Sequence, residues 1–186
     1  VGGLAVIWLV ARVQGVSLAI PKGETRTIIK LAIPNMLIWH SFIIIGVKML
    51  SSGRAAILGY TMPAWAVLAG LVFFGDRINR SSLVGILLAM SGAMLLLSSE
   101  FSRISGQPLG TLLVLIAAAG WGFGTVLMKR TIIDMPTLSL TFWMLAFSST
   151  CITLIALIVE GPSMRWPNSV EWLCISYNAI IIFGFA

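Results

Sequence analysis

Five apolar stretches dominate this chain: Leu31–Met49, Ala55–Gly75, Ser82–Ser98, Leu109–Met128 and Thr137–Val159. Each is close to the length a bilayer demands. A helix rises about 1.5 Å per residue, so roughly 20 mostly apolar residues cross a hydrocarbon core about 30 Å thick. Val1–Ala11 and Trp172–Ala186 are partial spans at the two ends, which makes seven in all. In lipid every backbone N–H and C=O must be satisfied within the protein, and an open strand cannot do this, so the spans are read as helices. The expected fold is an all-α integral membrane protein, a polytopic helix bundle.

Composition agrees. Of 186 residues, 59% are hydrophobic and 10% charged, whereas an ordinary soluble domain has roughly 45–50% and about 25%. A soluble fold lacks the polar surface to cover such a core, and disorder needs an apolar-poor chain. The connections are short and rich in breakers: LSSG at Leu50–Gly53, GDRINRS at Gly75–Ser81, and a longer linker at Ser98–Pro108. None could fold as a soluble domain, so any chemistry occurs in or beside the bilayer. Val1 opens inside an apolar run with no Met or basic region before it, and IIIFGFA closes inside another. Both ends are therefore expected to be cut from a longer chain, with no signal peptide visible.

The net charge of +6 raises nucleic acid as a partner, but such binders gather Lys and Arg on one face or in a run. Here the basic stretches are short and lie between apolar segments. Counted over alternating sides, one side holds Arg12, Lys22, Arg26, Lys30, Arg77, Arg80, Lys129 and Arg130. The other holds Lys48, Arg54, Arg103 and Arg165. The richer side is expected to be cytoplasmic, and topology accounts for the charge better than nucleic acid does. Cys151 and Cys174 fall in apolar segments and read as small buried residues, with no disulfide framework or zinc spacing.

Several residues within the spans could carry chemistry. His40 is the one His, at the centre of its span; intramembrane ionisable groups usually face the bundle interior. A neutral His bonded to a neighbouring helix and a proton-relay or ligand role are the two readings. Asn35, Trp39, Phe42 and Gly46 recur on one face, and Pro34 would kink the helix and free a carbonyl. These suggest a cavity wall, or helix-packing glue. Arg54, Thr61 and Trp65 share a face of the next span, which Pro63 interrupts. Lys48 and Arg54 flank the LSSG turn, as an anion-attracting outer mouth or as snorkelling cations. Ala117, Gly120 and Gly124 form a small-residue face; Trp121, Trp143 and Asn178 are further cavity candidates.

All six acidic residues lie at helix ends or in loops, which gives no support to a pump with a buried carboxylate. Metal ligands and a Walker A run are absent, so no cofactor is expected. Ala89-Met90-Ser91-Gly92 is similar to the rhomboid Gly-x-Ser-Gly motif with Ala in its first position. A Ser91/His40 dyad, an intramembrane hydrolase, is one alternative; a structural or assembly subunit is another. Ile28–Gly46 and Val170–Ala186 share a polar start, an Asn and an isoleucine run. They are the second and seventh spans, in opposite orientations, as an inverted repeat requires.

The run SGRAAILGYTMPAW at Ser52–Trp65, the FGDRINR turn and VGILLAMSGAMLLL together resemble an EamA-type transporter of the drug/metabolite transporter superfamily. GTLLVLIAAAGWGFGTVLMKR resembles the opening helix of that family's second repeat, and Asp76 stands where the family often has Glu. The resemblance implies ten helices in two inverted five-helix repeats. Residues 1–98 would hold helices two to five of the first repeat, and 109–186 helices six to eight of the second. It implies a secondary transporter or facilitator, moving a small metabolite (an amino acid or related polar compound, or a drug) by alternating access, and exporting it. Asn35, Trp39, His40, Tyr60, Trp121, Trp143 and Asn178 would line the midplane cavity. Pro34 and Pro63 would break helices, and Lys48 and Arg54 would tune the outer mouth. The implied partners are the metabolite, membrane lipid and a coupling proton, in a plasma or inner membrane.

Overall fold

The computed structural model describes residues 2–98, 107–160 and 165–179, and these are helical, with no strand among them. Glu100 and Arg103 of the long linker and residues 180–186 of the last partial span lie outside the described residues. Among the described residues, four helices are long and apolar enough to cross a membrane: Thr25–Met49, Ser52–Phe74, Pro108–Arg130 and Thr137–Val159. The helix Arg80–Ser98 occupies the remaining full span expected, Ser82–Ser98, and Gly2–Val13 and Ser169–Tyr177 stand where the partial spans were expected. Phe73 and Ile158, 68% and 80% exposed, are typical of the outer surface. Water would not tolerate so large an apolar surface, and lipid would. The fold is a polytopic helical membrane bundle.

In chain order the helices are α1 (Gly2–Val13), α2 (Thr25–Ala32), α3 (Trp39–Met49), α4 (Ser52–Gly59), α5 (Met62–Phe74), α6 (Arg80–Ser98), α7 (Pro108–Arg130), α8 (Thr137–Glu160) and α9 (Ser169–Tyr177). They form two compact units, Val1–Ala32 with Ile133–Ala186, and Ile33–Ile132. The first long span begins at Thr25, earlier than hydropathy placed it. Its polar first turns keep helical geometry because a span can emerge from the apolar core into the interface before it ends.

In the first unit, α8 packs on α1 and α2. Ile7, Ala11, Leu31, Leu140 and Met144 are buried there. The connector after α1 is fastened by two side chains of α8: the Ser139 hydroxyl donates to the Ser17 carbonyl at 2.5 Å, and the Trp143 indole N–H to the Leu18 carbonyl at 2.8 Å. Irregular backbone has unpaired carbonyls, and these donors satisfy two of them. Asn168 caps α9 through a reciprocal box with Glu171. Arg165 also pairs with Glu171, at 3.0 Å from Nη1, and this guanidinium with the Asn168 backbone N–H holds the carboxyl below its usual range. Cys174, expected to be buried, is exposed on α9, and Cys151 is half-buried. No residue of α9 is buried; an apolar helix can turn such a face to lipid, so hydrophobic character did not imply a protein neighbour.

In the second unit α7 is the central element, touching α3, α4, α5 and the turn before α3. Its contacts with α3 run in opposite senses: Gly124 lies against Asn35, Trp121 against Trp39, and Gly110 against Met49 and Leu50. With α5 they run in the same sense, from Gly122 against Trp65 and Ala66 to Arg130 beside Phe74 and Asp76. The chain thus crosses back and forth, with α3 antiparallel and α5 parallel to α7. The Leu50–Ser51 turn and the start of α7 share one end; the Gly75–Asn79 loop and the end of α7 share the other.

Close approach explains this arrangement. A Cβ on Gly122 would lie 2.6 Å from the Ala66 nitrogen and 2.9 Å from the Met62 oxygen. Gly120 and Gly124 do the same on the other face, against Ile38 and the Asn35 amide. Within a membrane, helices associate through packing and hydrogen bonds because lipid is as apolar as they are, so small residues are needed where backbones meet. The sequence reading found the Ala117/Gly120/Gly124 face and missed the Ala118/Gly122 face, although its i, i+4 spacing is the same signal.

Candidate functional site

Two of the long spans in the second unit are broken within their apolar length. In the first, Ile33–Ile38 is a π-helical turn that begins beside Pro34. Proline lacks the N–H that would pair with the Lys30 carbonyl, and a π turn pairs carbonyls with donors one residue further on, so the chain continues past it. In the second span, α4 ends at Gly59 and α5 begins at Met62. Pro63 sits in the first turn of α5, where its missing N–H has no helical duty. The Thr61 hydroxyl donates to the Leu58 carbonyl at 2.6 Å and accepts from the Trp65 indole N–H at 3.1 Å. This relay satisfies polar groups at the break, where the Thr61 side chain is buried.

Around these breaks the second unit gathers five of the sequence-selected residues. Asn35 is 3% exposed and lies against Gly124. The Trp39 and Trp121 rings meet edge to face, with centroids 5.4 Å apart. Trp39 and Tyr60 line a cavity of 340 Å³ with Ile43, Ala55, Gly59 and Met62. His40, on the turn next to Trp39, places Nδ1 2.7 Å from the Met36 carbonyl. A carbonyl only accepts, so Nδ1 is the protonated nitrogen, and in the neutral ring Nε2 is left as the acceptor. Pro34 is buried and Pro63 exposed. Of the face Asn35, Trp39, Phe42 and Gly46, three members, Asn35, Trp39 and Gly46, pack on α7.

The other selected residues fall elsewhere. Trp143 and Asn178 belong to the first unit; the Asn178 amide donates to the Cys174 carbonyl of its own helix at 2.9 Å. Lys48 is exposed at the end of α3, and Arg54 half-buried in the first turn of α4. The Ser91 hydroxyl donates to the Leu88 carbonyl of its own helix at 2.9 Å, which is the arrangement of a satisfied helical serine. Among the described residues no three His, Cys, Asp or Glu side chains converge as a metal centre would need.

At the other end of α7, Asp76 forms an ion pair with Arg130, whose guanidinium lies 4.6 Å over the Phe74 ring. Gly75, at φ +67, lets the chain turn so that the Asp76 N–H reaches the Gly70 carbonyl at 3.0 Å; this left-handed cap suits glycine alone. The pairing spans 54 residues of sequence; the side-counting of Lys and Arg grouped Arg130 with Arg77, the neighbour of Asp76, but did not itself place the carboxylate.

Aromatic edges, an amide and interrupted helices thus meet within a polytopic helical membrane bundle. The sequence matches the EamA-like transporter family over residues 1–98 and 108–186, and the chain belongs to that family. It is similar to the transporter YoaV of Bacillus subtilis, 23% identical over 185 residues, 98% of this chain and 63% of that protein. The inner membrane transporter YedA of Escherichia coli is 28% identical over 130 residues, 69% of this chain and 41% of its own. A probable amino-acid metabolite efflux pump of Escherichia coli is 25% identical over 113 residues, 59% of this chain and 38% of that protein. The chain therefore spans less than two thirds of the length of these relatives. No solved structure gives a significant match.

Proposed function

We propose that the whole protein is a secondary transporter or facilitator that exports a small polar metabolite of the amino-acid class by alternating access. Its architecture would be ten helices in two inverted five-helix repeats, with residues 1–98 and 109–186 supplying helices two to eight. The observation that carries this reading is the broken span beside Asn35, Trp39 and Trp121. Irregular backbone at membrane depth is tolerated only where protein buries it or a cavity needs it, and transporters place substrate sites at such breaks. Asn35, Trp39, His40, Tyr60 and Trp121 would contribute to the substrate path, and Pro34 and Pro63 would hold the breaks open. Lys48 and Arg54 would attract anionic groups at the outer mouth, with the cation-rich loops cytoplasmic in a plasma or inner membrane. The efflux-pump relative supports the substrate class. His40, with Nε2 as its acceptor, would be the coupling-proton group in this part of the chain.

The test uses the gene extended to both natural ends, with the protein reconstituted in liposomes and assayed for flux of amino acids, amines and sugars. Saturable flux of an amino acid, reduced by Trp39→Ala, supports the reading; no flux of any of the three refutes it. A changed pH dependence in His40→Gln assigns the coupling, and an unchanged one removes His40 from it. The hydrolase alternative would instead lose a cleavage activity in Ser91→Ala, a change that a transporter should hardly register.

A further inference from the structure

A second cavity of 440 Å³ opens in the second unit among α5, the loop before α6 with the first turn of α6, and the end of α7. Its volume falls within the roughly 300–1,000 Å³ of small-molecule sites. Three cations line it, Arg77, Lys129 and Arg130, against a single carboxylate, Asp76. Arg130 is committed: it neutralises Asp76 and is held over Phe74. Among the described residues, Arg77 and Lys129 have no ion-pair partner. The cavity thus keeps two uncompensated positive charges on different elements, the loop before α6 and the last turn of α7.

The remaining lining is divided in a telling way. Ala66, Val67 and Val126 make an apolar wall along α5 and α7, and the loop and first turn of α6 add apolar Ile78 and the polar groups of Asn79 and Ser82. The Asn79 carbonyl oxygen already accepts from the Ser82 backbone N–H at 2.7 Å, which leaves its NH₂ group and the Ser82 hydroxyl as donors. Such a lining suits an anion attached to, or lying beside, something apolar. The depth is that of the headgroups, since apolar spans give way to charge here. Arg and Lys bind phosphate through charge-assisted hydrogen bonds, and basic pockets between spans are sites for anionic lipid headgroups.

We infer that this cavity is a binding site for a phosphate-type anion, with Arg77 and Lys129 as its charge-bearing residues and a phosphodiester headgroup or free phosphate as its occupant. The inference is independent of the transported substrate. Neither residue lies in the aromatic site of the broken spans, so the two can fail separately.

The test is thermal unfolding of the full-length protein in a neutral detergent. It is titrated with dioctanoyl phosphatidylglycerol, with dioctanoyl phosphatidylcholine as the zwitterionic comparison, and separately with inorganic phosphate. The expected result is saturable stabilisation whose half-saturating concentration rises at least tenfold in Arg77→Gln/Lys129→Gln. Lys22→Gln/Arg26→Gln, which removes the same charge from outside the cavity, should behave as the wild type. Stabilisation by phosphatidylglycerol alone identifies a lipid headgroup; an equal response to inorganic phosphate identifies the free anion. The inference is overturned by no stabilisation from either, by an equal response to phosphatidylcholine, by retention in the cavity variant, or by equal loss in the charge-matched one. Should the double variant not fold, Lys129→Gln alone, an exposed position, is read by the same criteria.

Discussion

Substituting Gly122 with Ala isolates the packing argument from everything else. In a helix this change is intrinsically favourable by about 1 kcal/mol, because glycine loses more backbone freedom than alanine. At Gly122, however, the new Cβ would sit 2.6 Å from the Ala66 nitrogen, 2.8 Å from the Trp65 Cβ and 2.9 Å from the Met62 oxygen. Two of these are backbone atoms at the start of a helix already anchored by the Thr61 relay, so they cannot swing aside. Moving α7 away instead drives Gly124 into the Asn35 amide on its opposite face. Overpacking costs about 1–3 kcal/mol, and with no route to relax the upper half of that range applies, for a net loss of about 1–2 kcal/mol. Gly85 is the internal reference, because nothing lies within 4 Å of its added Cβ; Gly85→Ala should be neutral or stabilising by up to about 1 kcal/mol. The two variants should differ by about 1–3 kcal/mol, roughly a 5- to 140-fold difference in unfolding constant. Titration of the full-length protein with sodium dodecyl sulfate, followed by tryptophan fluorescence, measures it. A Gly122→Ala protein as stable as Gly85→Ala would refute the reasoning.

Asn35→Ala and Gly124→Ala should each destabilise, but the double variant by less than their sum, with a coupling of about 1 kcal/mol in the same titration, because removing the amide makes room for the new methyl. Thr61→Val keeps the shape but leaves the Trp65 indole N–H without its acceptor; a loss of about 1–2 kcal/mol is expected, with much of it restored by Thr61→Ser. Glu171 has a lowered pKa, so its contribution to the start of α9 is complete above the unfolded carboxylate value of about 4.3 and is lost as pH falls through the lowered folded value. Amide exchange at Ser169–Trp172, corrected for its intrinsic pH dependence, should accordingly show protection at neutral pH that fades in acid, and Glu171→Gln should show the faded level throughout.

The spans were legible because lipid imposes a length and a polarity that hydropathy alone reports. Pro34 and Pro63 also marked both breaks, since a missing N–H is visible in the sequence. What proline could not say was how each break would be repaired, by a π turn in one case and by a threonine relay in the other. The identity of a helix's neighbour was harder still. The spacing of Gly120 and Gly124 announced a close contact, yet only the fold supplies Asn35 and Ile38 as what is contacted. Trp143 shows the same limit from the polar side: its indole was expected near a cavity, and its N–H is bound to the Leu18 carbonyl of a connector. Partners so far apart in the chain leave no periodic trace, as Asp76 and Arg130 also illustrate.

The central place of α7 bears on how the protein can be made. Its partners α3, α4 and α5 all precede it in the chain, so during synthesis they enter the bilayer before the surface they pack on exists. Until residue 130 has emerged, the broken backbone near Asn35 and Thr61 has no partner helix to shield it, and the nascent chain must be sheltered by lipid or by the insertion machinery. Expression of the first matched segment, residues 1–98, without α7 should therefore yield a product that quality-control proteases remove, whereas adding the second segment as a separate polypeptide should rescue it.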